Sequence, residues 1–570
     1  MEFVTLLRQE IKTPSFPLLA FTALSGLSTT FLIAVVNGAA ETISSAQLNW
    51  KFMILYLLCL GIFFFSKRYT LDRTAEIVNT VMTQVRHRLA DKVRLTELST
   101  LEKYGTATVY ARMTQDATTI SNMSTLIING AQGLVMIFFT LLYIASLSVG
   151  SFVLIALGLA FGMFYYVGHA ETVRVMWQEI SAKDTLFFEK LGHILEGFNE
   201  ININRRKNED VFKAFSKVNQ ESRVYRTTMA QHYNITLIFT EILFYLLLGI
   251  ILFVLPKLHA EHTVVITKVV TSVMFIIGPL EGIIFSIPGF ANSNNSARNI
   301  MELEAQLEED LKTLREQQLD RYSPAAYEQL PFEHQMEAKG LCYQYPTKSG
   351  NGPGFRVGPI DLTVRKGELI FVTGGNGSGK STFLKLLTGL YKPFEGHIEL
   401  DGGEGRRGRT VDAQHYQQYQ NLFSVIFSDY HLFDKIYGVE REIDPAEVKA
   451  LLAGMEISED KTSYKNGAFT NIRLSSGQKK RLALITVLLE DKPIYIFDEV
   501  ASDLDPAFRD KFYFDILREL KSGGKTVFVV SHDQQYWRAA DRLIQFRDGA
   551  MHELTKEEVA SLAAITLKQD

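Results

Sequence analysis

A glycine-rich loop between a predicted strand and a predicted helix has the residues needed to hold a phosphate chain. Residues 368–372 are β-prone, 374–381 read G-x-x-x-x-G-K-S, and 383–387 are helix-prone. Glycines let backbone N–H groups point at phosphate oxygens, and the helix dipole favours an anion there. The pattern predicts a nucleotide site in which Lys380 reaches the β- and γ-phosphates and Ser381 is a ligand of Mg²⁺. The expected contacts are Gly374, Asn376, Gly377, Ser378, Gly379, Lys380, Ser381 and Thr382.

Two adjacent carboxylates follow an apolar run farther along the chain. Residues 494–497 are continuously apolar, which is typical of a buried parallel strand, and Asp498 and Glu499 come directly after them. Ligands of α/β sheets bind at the carboxyl ends of strands. We therefore expect Asp498 to hold Mg²⁺ and Glu499 to act as the general base that polarises the attacking water.

A short polar segment, 474–478, reads Leu-Ser-Ser-Gly-Gln and precedes a helix-prone stretch. The free N–H groups at the start of that helix form an anion site. By itself the segment is equally well explained as a plain serine N-cap. Its position shortly before Asp498 favours the functional interpretation.

The elements that must position these residues belong to two unlike halves of the chain. The 570 residues are too many for one ordinary domain, and 47% of them are hydrophobic, too large a share for a disordered chain. The net charge of −4 gives no reason to expect nucleic-acid binding. The two cysteines, Cys59 and Cys342, cannot build a disulfide framework.

The first half contains apolar runs of the length that a membrane span needs, about 20 residues. No charged residue occurs from Thr13 to Ala40 or from Ala117 to Ala170, and the second run has room for two spans with a turn near 146–150. Soluble core helices rarely lack charge over such lengths, and a cleaved signal peptide would not be followed by five more spans. The expected spans are about 17–38, 48–66, 124–146, 150–169, 235–255 and 264–290.

Charge in the connections predicts the orientation. The connections after spans two and four are rich in Lys and Arg, while the opposite loops carry little beyond Lys51 and Lys257. The positive-inside rule then places the N-terminus, both long connections and the C-terminal half in the cytoplasm. The predicted organisation is a six-helix all-α transmembrane domain over 1–305, a linker over 306–331, an α/β P-loop nucleotide-binding domain over 332–556 and a C-terminal tail over 557–570.

The order of these motifs resembles the ATP-binding cassette (ABC) family, whose signature L-S-G-G-Q matches 474–478 with Ser476 in place of the first glycine. The resemblance implies that Ser475, Ser476, Gly477 and Gln478 contact ATP. It also matches Asp503 to the D-loop and His532 to the switch histidine near the γ-phosphate. Tyr345 matches the aromatic residue that stacks on adenine, with Tyr343 as the competing choice.

One position departs from the family pattern. The family has a glutamine where this chain has Ser428, in the run 427–433. Serine has a shorter reach, so Ser428 is a less certain Mg²⁺ ligand, and Asp429 is an alternative. The family's two coupling helices, which rest on the cassettes, match Glu102 to Thr106 and Phe198 to Asn204.

Nearly the whole chain resembles a half-transporter with the type I ABC exporter fold. The resemblance implies a homodimer in a bilayer, with Mg²⁺ and each ATP sandwiched between the P-loop of one copy and the signature of the other. Three features resemble the bacterial exporters of cyclic peptides and peptide siderophores, of the pyoverdine and syringomycin kind: the run 427–434, the signature block 474–484, and the lack of a peptidase domain before the first span. We therefore expect a bacterial inner-membrane exporter of a peptide-type cargo, working with outer-membrane or periplasmic partners.

Three other functions stay open on the sequence. They are export of lipids or hydrophobic drugs, import of a siderophore by the same fold, and an ATPase that regulates a partner without moving cargo. Charges inside spans are costly, so Glu241, Lys268 and Glu281 are candidate cargo residues, although they could instead pair with one another. Asn37, Asn129 and Gln132 could equally be interhelical hydrogen-bond partners.

Overall fold

The computed structural model describes residues 2–10, 16–42, 49–254, 256, 263–316, 330–345, 354–401, 408–412, 415–555 and 557–559. The chain divides into two compact units, Met1–Ala90 with Ala107–Ala305, and Asp91–Thr106 with Gln306–Asp570. The tail predicted over 557–570 and residues 317–329 of the predicted linker lie almost wholly outside the described residues.

The first unit is built of helices, and so is the segment Asp91–Thr106, which belongs to the second unit. Their bounds are α1 Glu2–Glu10, α2 Phe16–Thr42, α3 Trp50–Leu95, α4 Leu98–Tyr104, α5 Thr106–Ala111, α6 Ala117–Leu147, α7 Val149–Glu196, α8 Phe198–Ile203, α9 Arg205–Gly249, α10 Thr263–Met274 and α11 Ile277–Glu316. Single π-helical turns over Arg112–Asp116 and Ile250–Val254 extend α5 and α9.

In the part of the chain that the structure describes, six helical segments are long and apolar enough to cross a membrane. They are Phe16–Ala40, Trp50–Leu95, Thr106–Leu147, Val149–Tyr166, Arg205–Val254 and Val265–Lys312. Large apolar side chains such as Phe65, Phe164 and Phe253 are exposed on them, which suits hydrocarbon and not water. Helices satisfy their own backbone hydrogen bonds, the condition that a bilayer imposes. The predicted six-helix membrane domain is confirmed.

The ends of these helices follow from local chemistry. Between α6 and α7, Ser148 is extended and its hydroxyl accepts a hydrogen bond from the N–H of Ser151 at 3.3 Å, at the turn predicted there. Asn204 caps α9 in the same way through Lys207 at 3.1 Å. Within the unit, α2 packs along α6 and α7 along α9.

The sixth span differs from the single helix expected over 264–290. It consists of α10 and α11, separated at Phe275 and Ile276, and α11 then runs through Pro288 to Glu316. The first part of the segment predicted as a linker is therefore helical. Because Pro279 lies within the first turn of α11, where its missing N–H costs nothing, the break beside it is consistent with local backbone chemistry.

The second unit is an α/β domain built on two sheets. A four-stranded sheet has the order β2-β1-β4-β5 and a six-stranded sheet the order β12-β11-β3-β10-β9-β6; β7 and β8 form a hairpin. The strands are β1 Gln335–Gln344, β2 Arg356–Arg365, β3 Leu369–Gly374, β4 Glu395–Leu400, β5 Arg409–Thr410, β6 Phe423–Ile426, β7 Tyr464–Lys465, β8 Ala468–Phe469, β9 Ile494–Asp498, β10 Thr526–Val530, β11 Arg542–Arg547 and β12 Ala550–Leu554. Its helices are α12 Lys380–Leu387, α13 Tyr416–Gln420, α14 Pro445–Gly454, α15 Ser476–Glu490, α16 Pro506–Lys511 and α17 Leu517–Ser522.

The six-stranded sheet separates two hydrophobic cores. Alternate residues of β3 point to opposite faces, so Phe371 belongs to one core and Val372 to the other. Strands β11, β3, β10, β9 and β6 are parallel, and β12 is antiparallel at the edge. The carboxyl ends of β3, β9 and β10 therefore meet at one edge of the sheet. The residues predicted to bind phosphate and Mg²⁺ and to act as the general base lie at these strand ends. The predicted α/β domain is confirmed.

Candidate functional site

The loop between β3 and α12 has a backbone that only glycine fits at two points. Gly374 has φ +147° and Gly379 has φ +105°. A Cβ at Gly374 would collide with the carbonyl oxygen of Phe546, and one at Gly379 would lie 2.9 Å from Cγ2 of Val357. The glycines therefore allow a tight loop that ends at the N-terminus of α12.

The loop surrounds the side chains of Lys380 and Ser378. The ammonium of Lys380 donates to the carbonyl oxygens of Gly374 at 2.9 Å and Gly375 at 3.0 Å. Burial lowers the pKa of Lys380, and the carboxylates of Glu499 and Asp498 partly oppose that shift. The Ser378 hydroxyl is buried and has no hydrogen-bond partner among the described residues. An unsatisfied donor beside a buried cation at a helix N-terminus fits a phosphate group.

The other loop residues named from the sequence occupy distinct places. Asn376 and Gly377 form the exposed rim of the loop, and Ser381 and Thr382 lie in the first turn of α12. The hydroxyl of Ser381 donates to Oδ2 of Asp498 at 3.3 Å. The structure thus brings the two groups expected to hold a metal into contact.

Asp498 ends β9 and is almost completely buried, with 1% of its surface exposed. Burial, and then the charge of Glu499, raises the pKa of this carboxyl, while hydrogen bonds from Ser428 and Ser381 act in the opposite direction. Ser428 therefore contacts the metal-site carboxylate directly, through both its backbone and its side chain. Asp429 is exposed.

The donor set is of the kind that Mg²⁺ uses. Among the described residues no cluster of three or more His, Cys, Asp and Glu side chains could hold a metal ion by itself. Mg²⁺ is typically bound by one or two carboxylates together with substrate phosphates and water. Ser381 and Asp498 supply one hydroxyl and one carboxylate beside the phosphate loop, so they fit that ion.

Glu499 and His532 come from neighbouring parallel strands. Glu499 follows β9 in a left-handed conformation with φ +53°, and His532 lies two residues beyond the end of β10. The Nε2 atom of His532 lies 3.3 Å from Oε1 of Glu499. Because Val530 pairs with Asp498 across the two strands, the register of the sheet brings these side chains together.

The signature segment begins α15. The hydroxyl of Ser475 accepts from the N–H of Gln478, and the Gln478 side chain accepts from the N–H of Ser475, each at 3.4 Å. These two reciprocal hydrogen bonds form a capping box, so Ser475 is the N-cap of α15, as the N-cap interpretation of the sequence predicted. Ser475 and Ser476 are exposed, so the start of the helix faces outward from its own chain. A Cβ at Gly477 would lie 2.7 Å from the carbonyl oxygen of Asp503.

Sequence reasoning missed Lys480, which ties the signature helix to the residues around Glu499. Its buried ammonium donates to the carbonyl oxygen of Glu499 at 2.8 Å and to the Ser502 hydroxyl at 2.8 Å. It also pairs with Oδ2 of Asp503 at 2.8 Å. A signal was available, because position 480 precedes the buried Ala483, Leu484 and Val487 at helical spacing.

Three tyrosines form a second cluster beside α12. The rings of Tyr343 and Tyr391 stack with centroids 4.4 Å apart, and Tyr345 meets both edge-on. The Tyr345 hydroxyl lies 3.0 Å from that of Thr382. Burial raises the pKa of Tyr343 to about 12 and raises that of Tyr391 further above its ordinary value. One face of the Tyr343 ring is therefore covered by Tyr391, whereas Tyr345 contacts both rings only edge-on.

The short helix α4 packs against this cluster. The Tyr391 hydroxyl donates to Oε2 of Glu102 at 2.8 Å, and Lys385 of α12 pairs with Oε1 at 3.1 Å. Glu97 pairs with Lys392 at 2.6 Å. The helix spans Leu98–Tyr104 and ends at Gly105, with φ +80°, so the range expected from Glu102 to Thr106 is wrong by several residues at its start. Phe198–Ile203 forms α8 at the second expected position.

Among the described residues, two of the three charged candidates inside the spans lie at one cavity. Glu241 and Glu281 border the same small cavity, of ≈ 10 Å³, which is about the space of one water. Lys268 does not line it.

Comparison with known proteins agrees with this geometry. A family model described as "ABC transporter" matches residues 357–502. The ATP-binding protein SyrD of Pseudomonas syringae pv. syringae is 29% identical over 549 residues, which cover 93% of this chain and 92% of that protein.

Other relatives match shorter stretches of the chain. The probable syringafactin export ATP-binding/permease protein SyfD of Pseudomonas syringae pv. syringae (strain B728a) is 33% identical over 33% of this chain and 30% of that protein. The energy-coupling factor transporter ATP-binding protein EcfA of Syntrophomonas wolfei subsp. wolfei is 32% identical over 40% of this chain and 85% of that protein.

Proposed function

We propose that this chain, which belongs to the ABC transporter family, is one half of a homodimeric exporter that moves a peptide-type cargo outward across a bacterial inner membrane. It is a multi-pass membrane protein that hydrolyses ATP to drive transport. What we propose beyond this is that two copies form the working dimer, that the cargo is of the peptide class, that transport is outward and that the membrane is a bacterial inner membrane.

One observation supports the catalytic assignment most strongly. Lys380 follows β3, and Asp498 and Glu499 stand at the end of β9. Both strands pair in parallel with β10, which lies between them, so a cation and two carboxylates gather at one sheet edge. The second carboxylate is 3.3 Å from His532, a group that can orient it or the water beside it. Such a set is what phosphoryl transfer to water requires.

The proposed chemistry assigns one task to each group. Lys380 and the N–H groups of the loop hold the β- and γ-phosphates, and Glu499 accepts hydrogen bonding from the attacking water and takes its proton. The water oxygen bonds to the γ-phosphorus as the bond to the β–γ bridging oxygen breaks, which releases ADP and phosphate. Mg²⁺ held by Ser381 and Asp498, with Ser428 beside them, would neutralise charge on the phosphate oxygens.

The exposed signature supports the dimer. Ser475 and Ser476 present a capped helix N-terminus outward, where it can meet the phosphates bound by a second copy. Binding of ATP between two copies stabilises the closed pair, and hydrolysis removes that stabilisation. We propose that this two-state cycle alternates the access of the membrane domain, because a ligand shifts an equilibrium only by its differential affinity for the two states.

The cargo class is supported by relatives. The long alignment to SyrD and the shorter one to a probable syringafactin export protein favour a peptide-type cargo such as a cyclic peptide or peptide siderophore. A shorter alignment, 31% identical over 35% of this chain, is to an ATP-dependent lipid A-core flippase, so a lipid cargo is the second candidate.

Inverted vesicles containing the purified protein test the proposal. We expect ATP-dependent accumulation of a fluorescent cyclic peptide inside them, abolished by Glu499→Gln. Accumulation of a fluorescent lipid alone would favour the second candidate, and ATP-dependent loss of peptide from preloaded vesicles would show import. Hydrolysis without movement of any tested cargo would indicate a regulatory ATPase.

A further inference from the structure

A polar cavity lies inside the membrane unit, between α2, α3, α6 and α11. Its volume is ≈ 330 Å³, within the size range of about 300–1,000 Å³ that small-molecule sites have. Its lining, among the described residues, contains no Asp or Glu and includes Lys67, Gln132 and Gly278.

The cavity is bounded by helices that approach closely on either side of it. A Cβ at Gly26 of α2 would lie 2.8 Å from Cγ1 of Val135, and one at Gly133 of α6 would lie 2.7 Å from the carbonyl oxygen of Pro279. These glycines therefore let α6 pack tightly against both α2 and α11. A Cβ at Gly278, in contrast, would meet no atom within 4 Å. The space beside Gly278 is thus part of the cavity and not of a helix contact.

Gln132 is buried at this cavity, and its amide nitrogen donates no hydrogen bond to any described residue. Its side chain is 9% exposed, and Nε2 has no hydrogen-bond partner among the described residues. A buried amide N–H without an acceptor is unfavourable, so it points to a ligand. Asn37 behaves differently, because its Nδ2 donates to the Tyr143 hydroxyl at 3.4 Å and to the Ser272 hydroxyl at 3.3 Å. Asn37 is an interhelical partner, as one interpretation of the sequence held, whereas Gln132 is not.

Lys67 supplies a positive charge at the same cavity. Its ammonium lies 5.4 Å from the ring centroid of Phe63, and no carboxylate within the described ranges forms an ion pair with it. In the predicted topology it lies just beyond span 48–66, at the cytoplasmic end. The cavity therefore combines an ammonium and an amide N–H, both donors, near the side from which an exporter takes its cargo.

We propose that this cavity binds a carboxylate of the peptide-type cargo, with Lys67 pairing with its charge and the Gln132 amide donating to it or to the adjacent peptide carbonyl. This inference rests on the proposed function, since it assigns a subsite to that same cargo. Two donors with no acidic residue among their neighbours select an acceptor that carries negative charge. A neutral peptide lacks that charge and a cationic one is repelled.

Binding to the full-length protein in phosphatidylcholine nanodiscs tests the subsite. The probes are a fluorescein-labelled cyclic heptapeptide with one glutamate and its counterpart with glutamine, measured by fluorescence polarisation. We expect the wild type to bind the glutamate peptide about tenfold more tightly, since a charge-assisted hydrogen bond is about twice as strong as a neutral one. Lys67→Met should reduce the preference to less than about twofold. Gln132→Leu should weaken binding of the glutamate peptide about tenfold.

Two glycine substitutions separate occupation of the cavity from general damage to the helices. Gly278→Leu should fill the cavity and weaken binding of both peptides. Gly61→Leu is the matched control, because a Cβ there also meets nothing within 4 Å and Gly61 does not line the cavity. Basal ATPase activity of Gly61→Leu should stay within about twofold of the wild type, since Gly61 lies in a membrane-spanning helix, outside both the cavity lining and the phosphate loop.

The outcomes separate this inference from the proposed function. If the wild type binds and transports both peptides equally well, the carboxylate subsite is overturned and the peptide exporter stands. If it neither binds nor transports either peptide, the proposed function fails and the subsite fails with it. If phosphatidylglycerol added to the nanodiscs removes the preference as fully as Lys67→Met does, the cavity takes an anionic lipid and the proposal is overturned.

Discussion

The hydroxyl of Tyr391 donates a hydrogen bond to Oε2 of Glu102 at 2.8 Å, which joins α4 to the aromatic cluster of the nucleotide-binding domain. Glu102 lies on the short helix between α3 and α5, so it is covalently continuous with two membrane helices. Tyr391 in turn stacks on Tyr343, and Tyr345 reaches Thr382 of α12. A chain of direct contacts therefore runs from the proposed adenine position to the first coupling helix.

We expect Tyr391→Phe to uncouple hydrolysis from transport while leaving nucleotide binding intact. The substitution keeps the ring that stacks on Tyr343 and removes the hydroxyl that hydrogen-bonds with Glu102 and Tyr345. The amount of peptide transported per ATP hydrolysed should fall several-fold, and the Kd of a fluorescent ATP analogue should change by less than about twofold. Tyr343→Phe is the control, and transport per ATP equal to the wild type in Tyr391→Phe would contradict the role.

Substitution at the catalytic positions should abolish steady turnover. Lys380→Ala removes the cation at the phosphates, and Glu499→Gln removes the proton acceptor, so each should lower kcat at least about a hundredfold in an ATPase assay. The two variants should differ in their affinity for ATP. Glu499→Gln keeps the phosphate contacts and should still bind ATP, whereas Lys380→Ala loses one of those contacts. Glu499→Gln activity above about a tenth of the wild type would assign the base elsewhere.

Ser428→Ala should have a mild effect that depends on pH. A typical intramolecular hydrogen bond contributes about 1 kcal/mol net, and the backbone N–H of Ser428 keeps its bond to Asp498 in the variant, so kcat at neutral pH should fall no more than about fivefold. The Ser428 hydroxyl lowers the pKa of Asp498, which burial has raised, so its loss should raise that pKa. The carboxylate must be ionised to bind Mg²⁺, so the acid limb of the ATPase–pH profile should move to higher pH.

The converse results would change the assignment of Ser428. An unchanged acid limb would show that its hydroxyl does not act on Asp498. A severe loss of activity at every pH, not recovered by added Mg²⁺, would show that serine is itself a direct metal ligand.

Lys480→Met should slow hydrolysis and destabilise the nucleotide-binding domain. It removes the ammonium that donates to the Glu499 carbonyl and the Ser502 hydroxyl and that pairs with Asp503, at a cost of about 1–3 kcal/mol, while the Ser502 hydroxyl still donates to that carbonyl at 2.7 Å. We expect a lower melting temperature in differential scanning calorimetry and a reduced kcat, with the Kd for ATP unchanged. Lys479→Met is the matched control, because Lys479 is exposed on the adjacent position of the same helix. Equal behaviour of the two variants would contradict a positioning role.

Tyr345→Ala should weaken ATP binding about 5- to 100-fold, the range that loss of one base–aromatic stack covers. Tyr343→Ala should weaken ATP binding less than Tyr345→Ala does, since one face of the Tyr343 ring is already packed on Tyr391. Titration of a fluorescent ATP analogue measures both. The reverse order of effects would make Tyr343 the stacking residue.

Much of the site was predictable because its residues are close together in sequence or end strands. Gly374 to Thr382 form one loop, and Asp498 and Glu499 are adjacent, so local spacing carried their chemistry. His532 was assignable only through the resemblance to a family. Its distance to Glu499 depends on the pairing of β9 with β10, which no local pattern encodes.

The extents of helices were less predictable than their existence. The apolar runs placed six spans, but the break at Phe275 and Ile276 and the passage of α11 through Pro288 were not expected. A helix packed among neighbours tolerates a proline that an isolated helix would not. The start of α4 was misplaced for a similar reason, since Leu98 packs on the core of the nucleotide-binding domain, a contact distant in sequence.

By itself, the sequence determined that this is an ATP-binding membrane protein, and it predicted Asp498 as a metal ligand and Glu499 as the base, because hydropathy and short motifs are local properties. Only the tertiary structure decided which polar groups have partners. In the fold the Asn37 amide has hydrogen-bond partners, whereas the Gln132 amide nitrogen has none among the described residues and lies at a cavity. Lys480 is buried where it donates to the Glu499 carbonyl, and Tyr391 donates to Glu102. Hydrogen bonding and burial depend on atoms brought together from distant positions in the chain, and the fold alone specifies those distances.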